Sequence, residues 1–236
     1  YPLAEVIEGA YLGAAVVAFE TDLDGVEDAA AQLLATGTLP DGERLDAIVG
    51  RELYLEVTQR LEAAGMPPGA LERSRPWLAA LTLTTLEMSR AGFAADRGVD
   101  LHFWRRAAQD GRRRLALETV EEQIALFASL EGDDGVAFLR STLEDLREVE
   151  SLLDEVAEAW QSGRAEAVGK LLGEGMAEHP ELMRRLVDDR NRAWLPRVVE
   201  LARGRESALV VVGALPLVGG QGLVAAAIDP KIGVAE

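Results

Sequence analysis

The chain has 236 residues, of which 48% are hydrophobic, a share typical of a globular protein and too high for a disordered one. The 24 lysines and arginines against 41 aspartates and glutamates give a net charge of −17. This charge argues against binding to nucleic acid or anionic membranes, because both require a positively charged face. Cysteine is absent, which excludes disulfides, a thiolate nucleophile and a cysteine-ligated zinc site.

Two segments bear on targeting and membrane insertion. The chain begins at Tyr1 and carries no basic segment followed by an apolar one, so we predict no signal peptide within it. Residues 207–228 are uncharged and long enough to cross a membrane, but they contain several glycines and Pro216. This composition favours a strand, a glycine loop and a short helix, and we therefore predict no membrane span.

The first predicted strand is the apolar segment from Ala14 to Phe19, which Glu20 follows directly. Asp24 and, three residues later, Glu27 resemble a capping box, the pattern in which two side chains satisfy the first backbone N–H groups of a helix. We therefore predict a helix over residues 26–34. A second helix is predicted over residues 76–91, with a proline in its first turn.

The second predicted strand, Leu115 to Leu117, has the same organisation. It ends at Glu118, and Thr119 with Glu122 forms another capping box before a helix. Helical spacing then continues over residues 149–162, 164–177 and 181–204, up to a third strand at residues 208–212. These elements predict a single α/β domain over residues 1–236, with a mainly parallel sheet, mixed pairing left open, flanking helices and a helical insertion at roughly 120–200.

The candidate site lies where the predicted strands end, because open parallel sheets bind ligands beyond the carboxyl ends of their strands. Glu20 and Glu118 would meet there beside the glycine loop at residues 213–222. Two carboxylates can act as general acid and base, hold a metal or bind a cation, but they can equally cap helices or pair with an arginine. Arg190 and Asn191 could point at the same crevice and bind a carboxylate or an anionic ligand, or they could belong to a solvated helix face.

The chain resembles the TraB/GumN family, relatives of the Tiki-type proteins, over nearly its whole length. The motifs that carry the resemblance are, in chain order, Tyr1-Pro2-Leu3, Phe19-Glu20-Thr21-Asp22, Arg75-Pro76-Trp77, Gly98-Val99-Asp100, Leu117-Glu118-Thr119 with Gln123, Arg190-Asn191 with Trp194, Val212-Gly213-Ala214-Leu215 with Leu217-Val218-Gly219, and Gly222-Leu223. Their order and spacing together make the match specific, although each motif alone is weak.

The resemblance implies an α/β core with a helical insertion and a bacterial, metal-dependent hydrolase that resembles a peptidase and is often exported to the periplasm. Glu20 matches the acidic residue of the family site and would carry the divalent metal, a cofactor that only the resemblance implies. Arg190 matches the family's arginine, and Glu118 matches a further polar position that we count with the catalytic set. The residues predicted to contact substrate are Asp100, Gln123, Asn191, Gly213 and Gly219.

The chain departs from the family at both of its Gly-x-x-His motifs. The first would precede Tyr1, and this chain does not contain it. The second aligns with residues 213–216, Gly-Ala-Leu-Pro, where proline offers neither a metal ligand nor a side-chain base. The two histidines that are present, His102 and His179, lie far apart and lack the spacing of a metal site.

Two hypotheses follow for the function. The chain is a hydrolase of this family whose site is incomplete and whose activity is weak or absent, or it is a non-catalytic protein that binds a peptide or an anionic small molecule in the strand-end crevice. A missing upstream strand would also leave the sheet edge at residues 14–19 uncovered, or covered by residues 1–12. An uncovered edge would favour a homodimer.

Overall fold

The computed structural model describes residues 3–174, 179–218 and 222–227. Within these residues, strands β1 (Val16–Phe19), β2 (Arg113–Ala116) and β3 (Ala208–Val211) form a three-stranded sheet in the order β2–β1–β3. Both pairings are parallel. The predicted α/β fold with a mainly parallel sheet is therefore confirmed, and each strand lies within two residues of its predicted bounds.

Helices flank the sheet and form most of the chain. They are, in chain order, α1 (Glu5–Gly13), α2 (Val26–Gly37), α3 (Leu45–Val49), α4 (Arg51–Ala63), α5 (Pro76–Arg90), α6 (Val99–Gln109), α7 (Val120–Ala128), α8 (Asp133–Asp145), α9 (Val149–Gln161), α10 (Ala165–Glu174), α11 (Pro180–Met183), α12 (Asp189–Arg203), α13 (Ala214–Leu217) and α14 (Leu223–Ala227). A 3₁₀ turn spans Ala95–Arg97, and a π-helical turn, Arg184–Asp188, joins α11 to α12.

The sheet order corrects one expectation from the sequence. Strand β1 lies in the middle of the described sheet, with β2 on one side and β3 on the other, so the edge at residues 14–19 is covered by strands. Strand β1 therefore offers no uncovered edge through which a homodimer could form. Helices α2 to α6 lie between β1 and β2, and α7 to α12 lie between β2 and β3. The single domain with an insertion at roughly 120–200 stays a prediction.

The helix starts test the two predicted capping boxes. Thr119 and Glu122 cap α7 as predicted, since the Glu122 N–H donates to Thr119 Oγ1 at 3.1 Å and the Thr119 N–H donates to Glu122 Oε2 at 2.8 Å. The box predicted at Asp24 is wrong. The helix begins after Gly25, and the Asp24 carboxylate instead accepts hydrogen bonds from Trp104 Nε1 and Arg114. A tertiary ion pair here replaces the local cap.

The later predicted helices agree with the structure except in one detail. The helix predicted over residues 181–204 is present as α11 and α12, but the π-helical turn interrupts it just before Arg190. The helix predicted over residues 164–177 is α10, and residues 175–177 lie outside the described part of the chain. In the described residues, no helix combines the length and apolarity needed to cross a membrane.

Three apolar clusters hold these elements together. One joins helices α3, α4, α5 and α8, a second packs α1 and α6 against the sheet, and a third lies between α5, α7 and the π-helical turn. The third cluster contains the buried side chains of Trp77 and Leu186 and extends to Leu215 beyond β3. It therefore connects the helices to the carboxyl end of the sheet, where the candidate site lies.

A glycine allows helix α2 to approach this core closely. A Cβ atom on Gly37 would lie 2.6 Å from Leu78 Cδ2 and 2.9 Å from Trp77 Cη2, and both of these side chains are buried. We expect Gly37→Ala to lower the free energy of unfolding by about 2 kcal/mol, because a packed core cannot absorb an added methyl without strain. Urea denaturation followed by circular dichroism measures this change.

Gly9→Ala is the matched control for this prediction. Gly9 lies within α1, and nothing stands within 4 Å of the position that its Cβ would occupy. The same substitution there should raise the free energy of unfolding by roughly 0.5–1 kcal/mol through helix propensity alone. Equal effects at the two glycines would contradict the close approach at Gly37.

Candidate functional site

The two predicted acidic residues lie side by side at the carboxyl end of the sheet. Glu20 follows β1 and Glu118 follows β2 by one intervening residue. The main-chain pairing of the strands continues past their ends, since the Leu117 N–H donates to the Phe19 carbonyl at 2.8 Å and the Glu118 N–H donates to the Glu20 carbonyl at 2.9 Å. The sheet itself therefore fixes the spacing of the two carboxylates.

Arg190, in the first turn of α12, bridges both carboxylates. Its Nη2 donates to Glu20 Oε2 at 2.7 Å and to Glu118 Oε1 at 2.6 Å, and its Nε donates to Glu118 Oε2 at 3.2 Å. The side chains are 18% exposed for Arg190, 25% for Glu20 and 9% for Glu118. Burial alone would lower the pKa of Arg190, but the hydrogen bonds and charges of Glu118 and Glu20 outweigh it and raise this pKa above its ordinary value.

Trp194 completes this cluster one helical turn after Arg190. Its Nε1 donates to Glu118 Oε2 at 3.0 Å, and the Arg190 guanidinium carbon lies 4.5 Å from the centre of its ring. The indole therefore contacts both residues, Arg190 through its ring face and Glu118 through its N–H. Trp194 is not among the site residues predicted from the sequence, although a spacing of four residues places it and Arg190 on one face of the helix.

The glycine turn after β3 closes on Glu20. The Gly213 N–H donates to Glu20 Oε1 at 2.6 Å, and a Cβ atom on Gly213 would lie 3.2 Å from the same oxygen. This backbone N–H is therefore occupied by the protein's own carboxylate and is not free to bind an external anion. Both oxygens of Glu20 are engaged, one by Arg190 and one by this turn.

Two cavities adjoin the Glu20–Gly213 contact, and both are lined by these two residues. One, the apolar cavity, has a volume of about 530 Å³. Its walls are mainly leucine, phenylalanine and valine side chains from α5, α7, α8, α9 and the π-helical turn, among them Leu81, Phe127, Phe138, Leu152 and Leu186. The other, the acidic cavity, has a volume of about 470 Å³ and is lined by Asp100, Gln123, Trp160 and the ends of β1 and β3.

The predicted site residues are distributed over these features. Glu20, Glu118, Arg190 and Gly213 meet in one hydrogen-bonded cluster, while Asp100 and Gln123 line the acidic cavity. Asn191 is buried, and its Nδ2 donates to the Pro216 carbonyl at 3.0 Å, so it holds the glycine turn. Gly219 lies outside the described residues. The cavity residues Trp160 and Asp145 carry no motif that the sequence analysis could have used.

The cluster does not fit a divalent metal ion. In residues 3–174, 179–218 and 222–227, no three histidine, cysteine, aspartate or glutamate side chains are grouped as metal ligands would be. The Arg190 guanidinium lies between the carboxylates of Glu20 and Glu118, where a second cation would meet direct repulsion. The geometry therefore gives no support to the predicted metal role of Glu20.

Comparisons with known proteins agree with the family resemblance. A family model described as the TraB/PrgY/gumN family matches residues 1–233. The uncharacterized protein YbaP of Escherichia coli (strain K12) is 26% identical over 181 residues, which cover 77% of this chain and 67% of YbaP. YbaP of Shigella flexneri matches to the same extent. No solved structure matches this chain.

Proposed function

The chain belongs to the TraB/PrgY/gumN family, and from this premise we propose that it binds a peptide in the crevice at the carboxyl ends of its strands and hydrolyses peptide bonds weakly or not at all. The observation that carries the proposal is the pair of cavities that adjoin the Glu20–Gly213 contact. A chain molecule can place one group in each cavity, whereas a compact small molecule would fill only one.

The apolar cavity supports a peptide with a large apolar side chain. Its walls are mainly apolar side chains, leucine and phenylalanine among them, and its volume of about 530 Å³ is of the size that ligand pockets have. Burying one leucine or phenylalanine side chain stabilises a complex by roughly 1.5–3 kcal/mol before the entropy of ordering the peptide is subtracted. This gain is the main source of affinity in the proposal.

An anionic ligand is less well supported than a peptide. Arg190 already binds Glu20 and Glu118, and the Gly213 N–H already binds Glu20, so an anion would have to displace a carboxylate of the protein. The apolar cavity also contains Asp145. Partial burial, and to a smaller extent the charge of Glu144, raises the pKa of Asp145 above its ordinary value. The ionised form of Asp145 would repel an anion.

Weak or absent hydrolysis follows from the residues at the centre of the crevice. Pro216 stands where the family resemblance places a histidine, and proline can neither accept a proton nor activate water. Glu20 and Glu118 accept hydrogen bonds from Arg190, which orients them towards the arginine instead of towards a ligand. A general base needs a free lone pair within reach of the reacting water.

We expect Thr84→Phe to abolish or strongly weaken peptide binding. Thr84 lies on α5 and lines the apolar cavity, so a phenyl ring there would occupy the space proposed for the ligand. Calorimetric titration with the capped tetrapeptide acetyl-Gly-Leu-Phe-Gly-amide should give a dissociation constant at least about tenfold weaker than for the unaltered chain, as the loss of one buried apolar side chain implies.

Thr85→Phe is the matched control. Thr85 is the next residue of the same helix, is exposed, and donates its hydroxyl to the carbonyl four residues earlier, as Thr84 does. Its substitution should leave the affinity unchanged. Absence of heat with this tetrapeptide and with capped Leu-Leu and Val-Trp analogues would overturn the binding proposal. Peptide turnover with Zn²⁺ or Mn²⁺, together with micromolar metal binding that Glu20→Ala removes, would overturn the proposal of weak or absent hydrolysis.

A further inference from the structure

The acidic cavity holds one carboxylate that forms no ion pair with the residues that the structure describes. Glu20, at one wall, is paired with Arg190, but Asp100, in the first turn of α6, makes no ion pair with the described residues. Asp100 Oδ1 accepts a hydrogen bond from the Leu101 N–H at 2.8 Å. Its Oδ2 has no hydrogen-bond partner in the described part of the chain, although the cavity is lined by polar groups.

An exposed tryptophan stands in the same cavity. Trp160, in the last turn of α9, is 44% exposed, and its indole makes no hydrogen bond or ring contact with the residues that the structure describes. Gln123, on α7, lines the cavity, and its side-chain amide forms no hydrogen bond with the described residues. A free carboxylate, a free amide and an open aromatic face are the groups that recognise an organic cation.

The charge around these groups favours the same ligand chemistry. None of the residues lining the acidic cavity is lysine, arginine or histidine, and the chain as a whole carries a net charge of −17. A cation is therefore attracted over long range, and it meets no cationic side chain in the lining of the cavity. The apolar cavity, which shares Glu20 and Gly213 with the acidic cavity, has mainly apolar walls that suit an apolar group.

We propose that the acidic cavity binds a positively charged group of the peptide, with Asp100 as its charge partner, the Trp160 ring as its aromatic face and Gln123 as a hydrogen-bond acceptor. The inference rests on the proposed peptide binding and defines the class of peptide. The ligand is amphipathic, with an apolar side chain in the apolar cavity and an ammonium or guanidinium group in the acidic cavity. That group is a lysine or arginine side chain, or a free amino terminus.

Calorimetric titration with matched peptides tests the inference. The first pair is acetyl-Lys-Gly-Leu-Phe-Gly-amide and its norleucine analogue, which has the same backbone and no charge, and a second pair carries the lysine or norleucine after the apolar residues. An uncapped Gly-Leu-Phe-Gly-amide separates a free amino terminus from a side chain as the source of the cation. We expect one cationic peptide to bind roughly tenfold more tightly than its neutral analogue, the preference that a cation–π contact and a carboxylate provide together.

Substitutions in the acidic cavity test whether its residues cause the preference for the cationic peptide over its neutral analogue. Asp100→Asn and Trp160→Leu should each reduce it to less than about threefold while the neutral peptide binds as before. Asp133→Asn is the control, because Asp133 also lies exposed in the first turn of a helix without an ion pair but lines neither cavity. Equal affinity for charged and neutral peptides, or a preference that both cavity variants retain, would overturn the inference. No binding of any peptide would instead overturn the proposed function.

Discussion

Arg190→Ala is expected to lower the free energy of unfolding by roughly 3–5 kcal/mol, because it leaves two largely buried carboxylates facing each other without a cation. Arg190 donates to both Glu20 and Glu118, and Glu118 is only 9% exposed. The net benefit of forming the ion pairs is smaller than this loss, since burial of the charges has its own cost. Urea denaturation at pH 7 measures the change.

Two further variants make this prediction specific. Arg192→Ala removes an arginine that is 60% exposed and pairs with Asp189 on the same helix, and it should change stability by less than about 1 kcal/mol. Adding Glu118→Gln to Arg190→Ala removes one of the unbalanced charges and should recover at least about 1 kcal/mol. Similar losses for the two single arginine variants, or no recovery in the double variant, would contradict the bridging role.

The substitution Trp194→Ala is expected to have an effect of similar size, about 3–5 kcal/mol, through the cavity that it leaves in the core. Trp194 is 1% exposed, and it also supplies a hydrogen bond to Glu118 and a ring face to Arg190. Trp194→Phe keeps most of the ring and loses the N–H donor, so we expect it to cost about 1–2 kcal/mol. Thermal and urea unfolding of both variants measure these losses.

Trp160→Ala provides the comparison for Trp194. Trp160 is 44% exposed, so its removal should lower the free energy of unfolding by only about 1–2 kcal/mol, less than at the fully buried Trp194. The same variant should lose the preference for a cationic peptide, since Trp160 lines the acidic cavity. Stability and recognition would thus depend on different tryptophans, and a large stability loss at Trp160 would contradict this separation.

Much of the fold could be predicted because its signals are local. Strands β1 and β3 are short apolar runs, and the Thr119–Glu122 pair marks the start of a helix through contacts three residues apart. The order of the strands could not be predicted, since it depends on how the long helical crossovers pack and not on the strand sequences. Asp24 shows the same limit, because its cap pattern is overridden by Arg114 and Trp104, which are distant in sequence.

The residues that form the site could be predicted better than the hydrogen bonds that join them. Carboxylates at the ends of adjacent parallel strands must converge, and this rule together with the family resemblance selected Glu20, Glu118 and Arg190. That Arg190 binds both carboxylates at once depends on the orientation of α12, which the π-helical turn before it helps to set. The Gly213–Glu20 hydrogen bond likewise depends on side-chain geometry that no pattern records.

The Gly213–Glu20 hydrogen bond joins residues 193 positions apart, and the Arg190–Glu20 bond joins residues 170 apart. Closing such long loops is entropically costly. The contacts that offset this cost form only after the intervening helices have packed. The crevice is therefore expected to be among the last parts of the molecule to assemble during folding. In a newly made polypeptide, the side chains of Glu20 and Glu118 would therefore stay hydrated until β3 has joined the sheet.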